Sequence, residues 1–137
     1  MRPLLIITGL LLFVILGLTA LQVGHPALDP HDQLAFERQW KARAAEIRET
    51  NTPTLPELDC AATHLSRESV LTLYVVWINN RTDLRTGDDR GAAAADLQAA
   101  ITACHASPQT VEDEAHKNGQ ELEVAAVSSL LKAGRRL

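Results

Sequence analysis

The stretch SRESVLTLYVVWINN, residues 66–80, decides the fold of this chain. Its centre is apolar on every side, so periodicity alone does not distinguish a buried strand from a buried helix. β-Branched residues are scarce elsewhere beyond residue 23, so a strand here would have no partner strand. We therefore expect a buried central helix over residues 67–79, with Ser66 as its N-cap and Asn79 at its end.

A second helix is predicted ahead of this stretch, over residues 30–50. Asp29 can cap it, and Pro30 suits its first position. Its apolar positions recur at helical spacing, and they are Phe36, Trp40, Ala44 and Ile47. Such a stripe docks either in the domain's own core or on a partner protein. In the second case, Phe36, Trp40 and Ile47 form the partner-binding surface.

Three further helices are predicted, over residues 58–65, 92–106 and 108–133. Between the central helix and the second of these lies a segment rich in Asp, Arg and Gly, residues 81–91. Its composition predicts an exposed loop.

The last predicted helix has start and stop signals of its own. The letters TVED at 110–113 resemble a capping box, and Gly134 can end the helix. Arg135 and Arg136 would then lie at its negative end, where cations are favourable. We expect its buried face to comprise Val111, Ala115, Leu122, Ala126 and Ser129.

Residues 3–23 contain no charged side chain, and Arg2 precedes them. Their number is close to the roughly 20 residues that a helix needs to cross a bilayer. Small residues are poorly placed for signal cleavage, which favours a retained anchor over a cleaved signal. The short basic tail before the span and the acidic segment after it favour a translocated body. We therefore expect a single-pass protein of the bacterial inner membrane, with its soluble domain in the periplasm.

The predicted fold class is all-α: an N-terminal transmembrane helix followed by a small disulfide-linked domain of about five helices. Abundant alanine and few aromatic residues suit closely packed helices. Three regions are expected: an anchor over 1–23, an amphipathic helix and linker over 24–55, and a disulfide-tied helical domain over 56–137.

The two cysteines, Cys60 and Cys104, fall in different predicted helices of an exported domain. An oxidising compartment makes a disulfide between them the default. Zinc is the competing interpretation, because Cys60 and His64 are four residues apart and His105 follows Cys104. Adjacent helical positions diverge by about 100°, so Cys104 and His105 cannot both face one metal ion. A reactive thiol has less support, since no C-x-x-C motif is present.

Composition and motifs restrict the function classes. The 17 acidic residues outnumber the 13 basic ones, which argues against binding of nucleic acid or of an anionic membrane surface. No G-x-S-x-G, H-E-x-x-H or glycine-rich phosphate loop is present, so we expect no enzyme, cofactor or metal. The expected partners are a protein partner or unfolded clients, the bilayer through residues 3–23, and a second copy in a homodimer.

Residues 56–125 resemble the HdeA/HdeB family of periplasmic acid-stress chaperones. The resemblance lies in a first cysteine, the apolar helix with Tyr74 and Trp77, an Asp-rich loop, and the segment CHASPQTVED at 104–113. It implies an all-helical fold with Cys60 and Cys104 as the family's disulfide pair. The chain departs from the family at Leu58-Asp59, where an aromatic residue is usual.

The chain is also similar to the type VI amidase immunity family, which is exported, helical and cysteine-bearing. Three functions are therefore expected as alternatives for a membrane-tethered, non-enzymatic interaction domain. The first is an acid-stress chaperone that holds unfolded proteins. The second is an immunity or inhibitor protein with one specific partner. The third is an accessory subunit of a membrane complex.

Overall fold

The computed structural model describes residues 28–137. This part of the chain is all-helical and has no strand. The predictions made for residues 1–23 lie outside the described residues. Within the described part, no helix combines the length and the apolar composition that a membrane span needs.

Six α-helices follow one another along the described chain. They are α1 (Pro30–Thr50), α2 (Pro56–Ala61), α3 (Arg67–Leu73), α4 (Gly87–Ala103), α5 (Pro108–Lys117) and α6 (Leu122–Lys132). A π-helical turn, Tyr74–Ile78, continues α3, and a 3₁₀ turn, Thr82–Leu84, precedes α4. Helix α6 contacts α1, α2, α3 and α5, so the last helix is the centre of the packing.

Helix α1 begins and ends as its sequence predicts. The Asp29 carboxylate accepts a hydrogen bond from the backbone N–H of His31 at 2.8 Å, and Pro30 occupies the first position. The helix ends at Asn51, which adopts the left-handed conformation with φ 47°. Its buried residues belong to the same core as those of the other helices. The amphipathic helix therefore packs into the domain.

The central stretch is helical and buried, as predicted. The Ser66 hydroxyl accepts a hydrogen bond from the N–H of Ser69 at 3.2 Å and caps α3. Val70, Leu73 and Val75 are completely buried. Contacts on all sides of this segment explain why its sequence lacks a polar face.

The segment 81–91 differs from the predicted exposed loop. Thr86 and Asp89 form a capping box, so α4 begins at Gly87. Arg85 is buried and pairs with Glu68. The prediction of a loop was wrong because Thr, Asp and Gly also mark helix starts, and their composition alone does not separate the two.

The predicted last helix is two helices. Asn118 caps α5, and Gly119 follows with φ 74°, which turns the chain before α6 begins at Leu122. The predicted capping box at 110–113 lies inside α5, which Pro108 opens. The predicted buried face is correct, since all five of its residues are buried: Val111, Ala115, Leu122, Ala126 and Ser129.

The Cys60–Cys104 disulfide forms as predicted. Its S–S distance is 2.07 Å, and the two Cα atoms are 6.1 Å apart. The bond joins α2 to the residue that follows α4. Cys60 is exposed and Cys104 half-buried, so the bond lies at the surface and not in the centre of the core.

Candidate functional site

A cleft of about 640 Å³ lies between the C-terminal half of α1 and the chain that follows α6. Five cationic side chains line it, together with one acidic side chain, that of Glu37. We call it the basic cleft, and its five cations are Lys41, Arg48, Arg67, Arg135 and Arg136. A basic cleft is a local exception in a chain whose net charge is −4.

Gly134 and Trp40 shape this cleft. Gly134 adopts φ 73° after α6, a conformation that glycine takes at little cost, and the chain turns back towards α1. The Trp40 indole N–H then donates to the backbone oxygen of Arg135 at 2.6 Å. Trp40 itself is 5% exposed, so its ring forms a fixed wall of the cleft.

Two of the five cations have structural contacts. The Arg135 guanidinium donates to the carbonyl oxygens of Ala62 at 2.8 Å and Leu65 at 2.6 Å. Arg67 donates to the backbone oxygen of Leu137 at 2.6 Å. Arg135 follows the C-terminal end of α6, where it was predicted to lie, and its guanidinium holds the turn that follows α2.

The other three cations, Lys41, Arg48 and Arg136, are exposed. Among residues 28–137, no ion pair joins any of the three to a carboxylate. The Arg48 guanidinium lies over Gly134, where an added Cβ would come within 3.0 Å of it. Grouped cations that outnumber the acidic side chains around them create a positive potential that attracts anions.

The residues predicted as a partner-binding surface serve the core of this domain. Phe36 and Trp40 are buried, and both rings meet the Tyr74 ring edge to face, with centroids 6.3 and 5.0 Å apart. Ile47 is half-buried and packs against the same core. Of the three predicted partner-binding residues, Trp40 lines the basic cleft.

A second cluster surrounds the disulfide. The two sulfur atoms and a ring nitrogen of His64 all lie within 4.8 Å of one another. His105, the other histidine considered for zinc, does not belong to this group. Both sulfurs are in the disulfide, so this chain has no free thiol.

Asp96 connects α4 to the start of α3. Its carboxylate accepts a hydrogen bond from the backbone N–H of Ser66 at 3.1 Å. Partial burial raises the pKa of Asp96, but hydrogen bonds from Ser69 and Ser66 and the nearby charge of Arg135 outweigh it. The pKa of Asp96 is therefore below its ordinary value, and the ionised form stabilises this contact.

The sequence interpretation missed the basic cleft. Its cations come from three separate segments, and no local run of basic residues reveals them. One usable signal was the spacing of Lys41 and Arg48, which are seven residues apart and so share a helix face. Arg135 and Arg136 gave no comparable signal, because their position depends on the turn at Gly134.

Comparison with known proteins gives no further guide to this site. No family model, curated protein or solved structure matches the chain. The likenesses to the HdeA/HdeB and immunity families therefore stay predictions. A function for the chain has to be inferred from the basic cleft and the cluster at the disulfide.

Proposed function

We propose that this protein is a non-enzymatic interaction domain, tethered to the bacterial inner membrane and exposed to the periplasm. Its helical domain binds an acidic segment of one protein partner in the basic cleft. The observation that carries this proposal is the group of three exposed cations, Lys41, Arg48 and Arg136, that have no carboxylate partner within residues 28–137.

The chemistry of the basic cleft favours carboxylates on an extended segment. Arginine guanidinium groups bind carboxylates with two parallel hydrogen bonds, and Lys41 adds a point charge. A volume of about 640 Å³ accommodates several side chains and lies in the usual range for ligand sites. Ala45, which is exposed, and Leu137, which is half-buried, line the same cleft and offer an apolar surface to the methylene groups of Glu side chains.

The proposed location has separate support. Disulfides persist in oxidising compartments, and the Cys60–Cys104 bond is consistent with a periplasmic domain. Residues 3–23 supply an uncharged stretch of the length that an anchor needs. A partner of this domain is therefore sought among periplasmic proteins or the periplasmic parts of membrane proteins.

The test uses the emission of Trp40 as a reporter of the basic cleft. The chain has two tryptophans, so Trp77→Phe leaves Trp40 as the single emitter. This protein is titrated with a short synthetic peptide rich in Glu and Asp, and separately with its Gln and Asn counterpart. We expect saturable binding of the acidic peptide only, weakened by salt because exposed charges are screened beyond about 10 Å at 0.1 M.

A matched pair of double variants assigns the binding to the basic cleft. Lys41→Glu with Arg48→Glu reverses two cations in the cleft, whereas Arg38→Glu with Arg43→Glu makes the same charge change elsewhere on α1. The first pair should weaken peptide binding by about tenfold or more, which is about 1.4 kcal/mol, and the second pair by much less. Equal losses, or equal affinity for the neutral peptide, would overturn the proposal.

One contact supports a second candidate function, that of an acid-stress chaperone. Within residues 28–137, Leu34 is the large hydrophobic residue that is exposed, so chaperone activity requires acid to uncover further apolar surface. Arg85 is buried and pairs with the Glu68 carboxylate, and ion pairs that contain a carboxylate weaken in acid. The contact between α3 and α4 would then open and expose apolar residues.

This second candidate has its own test. Light scattering measures whether the protein suppresses aggregation of an unrelated unfolded protein at pH about 3 and at neutral pH. Suppression in acid that Arg85→Met removes would support chaperone activity, because Met fills the same space without a charge. Equal aggregation with and without the protein at both values of pH would exclude it.

A further inference from the structure

We infer that reduction of the Cys60–Cys104 disulfide converts its surroundings into a zinc site with three protein ligands: Cys60, Cys104 and His64. The site is distinct from the basic cleft and does not depend on the function proposed for it. Two thiolates and one imidazole are ligands that Zn²⁺ prefers, and a water molecule would fill the fourth position.

The distances fit a single metal ion. The candidate ligand atoms lie within 4.8 Å of one another. Zn–S bonds of about 2.3 Å and Zn–N bonds of about 2.0–2.1 Å place the ligands of a tetrahedral site roughly 3.5 Å apart. The sulfurs must separate once the bond between them breaks, and His64 must approach slightly. Both are adjustments of side chains.

The backbone that carries His64 is held in place. The His64 N–H donates to the carbonyl of Ala61 at 2.9 Å, which closes the turn after α2. On either side of His64, the carbonyl oxygens of Ala62 and Leu65 accept hydrogen bonds from the Arg135 guanidinium. A fixed turn loses little conformational entropy when its side chain binds a metal ion.

The other two ligands are also held by their own segments. Cys60 lies in α2, and Cys104 donates its N–H to the carbonyl oxygens of Ala100 and Ile101 at the end of α4. Cys60 and His64 are exposed, so both a reductant and a metal ion can reach the cluster from solvent. Either cross-link, the disulfide or the metal ion, would join α2 to the end of α4.

The chemistry balances with a dithiol as the reductant. The dithiol transfers two electrons and two protons, the bond between the Cys60 and Cys104 sulfurs breaks to give two thiols, and the dithiol becomes a disulfide. Zn²⁺ then binds the two sulfurs, and their two protons pass to the buffer. The neutral imidazole of His64 contributes a lone pair without losing a proton.

The test compares oxidised and reduced protein. The protein is reduced with a dithiol, freed of reductant without oxygen, and titrated with Zn²⁺ against a chromophoric chelator. We expect one equivalent of Zn²⁺ per reduced chain and none per oxidised chain. Co²⁺ used in place of Zn²⁺ should give a thiolate-to-metal absorption band, which carboxylate sites do not produce.

Two histidine variants decide whether the assigned ligand set is correct. His64→Ala should weaken zinc binding by about tenfold or more, which is about 1.4 kcal/mol, whereas His105→Ala should leave it nearly unchanged. The two variants can be compared even if the reduced chain unfolds without metal. In that case circular dichroism measures refolding on addition of Zn²⁺, and this refolding should require His64 but not His105. Equal affinities of the two variants, equal binding by oxidised protein, or no binding by reduced protein would overturn the inference.

Discussion

Arg135→Ala should lower the free energy of unfolding more than substitution of the exposed residues next to it. The half-buried guanidinium donates to the carbonyl oxygens of Ala62 and Leu65 at 2.8 and 2.6 Å. A hydrogen bond from a charged group contributes about 1.5–3 kcal/mol, and partial exposure reduces this amount. We expect a total loss of about 2–3 kcal/mol from the free energy of unfolding. Without the Arg135 guanidinium, the two carbonyl oxygens would need hydrogen bonds from water.

Urea unfolding of the oxidised protein measures this loss, with Arg136→Ala as the matched control. Arg136 is exposed, and its removal should change the free energy of unfolding by no more than about 0.5 kcal/mol. Arg135→Lys should recover only part of the loss, because an ammonium group lacks the planar fork that reaches two acceptors. Equal effects of Arg135→Ala and Arg136→Ala would refute the structural role of Arg135.

Three further perturbations test other parts of the fold. Reduction of the Cys60–Cys104 bond, whose cysteines are 44 residues apart, should cost about 4 kcal/mol of stability in urea unfolding without metal. Asp96→Asn should lower the free energy of unfolding at neutral pH. The ionised Asp96 stabilises the fold above its unfolded pKa of 3.8, and this contribution is lost as pH falls through the lower pKa of the folded state. The variant should therefore lose less stability than the unmodified protein below pH 3.8. Gly119→Ala should cost about 1 kcal/mol, because φ is 74° there, whereas Gly91→Ala inside α4 should gain about 0.5–1 kcal/mol.

Each of these three has an outcome that would contradict it. Reduced protein as stable as oxidised protein would mean that the disulfide constrains the unfolded chain little. A pH profile of Asp96→Asn parallel to that of the unmodified protein would assign the acid transition to other carboxylates. Both glycine sites have open space around the missing Cβ, so changes of the same sign would show that backbone conformation does not govern them.

The sequence predicted well those helices that have a local capping signal. Ser66 and Asp29 carry hydroxyl and carboxylate groups at helix starts, and both cap as expected. The buried face of the last two helices was also correct. A repeat of apolar residues at helical spacing survives a break in the chain when both helices pack against the same core.

The sequence failed where tertiary contacts override local composition. Arg85 lies in a segment whose composition predicts a loop, yet it is buried and pairs with Glu68 because α3 and α4 pack together there. The break between α5 and α6 at 118–121 was not predicted, because Asn118 and Gly119 lie within an otherwise polar stretch. A positive φ at Gly119 is a property of the backbone that composition alone does not specify.

The basic cleft was beyond prediction for the same reason. Lys41 and Arg48 share a face of α1, but nothing in the sequence says that Arg67 and Arg136 come to the same place. The hydrogen bond from the Trp40 indole N–H to the backbone oxygen of Arg135 holds the segment that carries Arg136. That contact joins residues 95 positions apart, and such pairings arise only when the whole domain packs.

Arg135 also connects the two proposed sites, and this connection is testable. Its backbone oxygen holds Trp40 beside the basic cleft, and its guanidinium holds the turn that carries His64. Arg135→Ala keeps that backbone oxygen but removes one cation from the cleft and both hydrogen bonds to the turn. Under the two proposals it should therefore weaken both binding of the acidic peptide by oxidised protein and binding of Zn²⁺ by reduced protein. Arg136→Ala removes a cation from the cleft but contacts no part of the turn, so it should weaken peptide binding alone. Fluorescence titration and chelator competition on the same two variants measure both affinities, and a zinc affinity unchanged in Arg135→Ala would mean that His64 does not need this support.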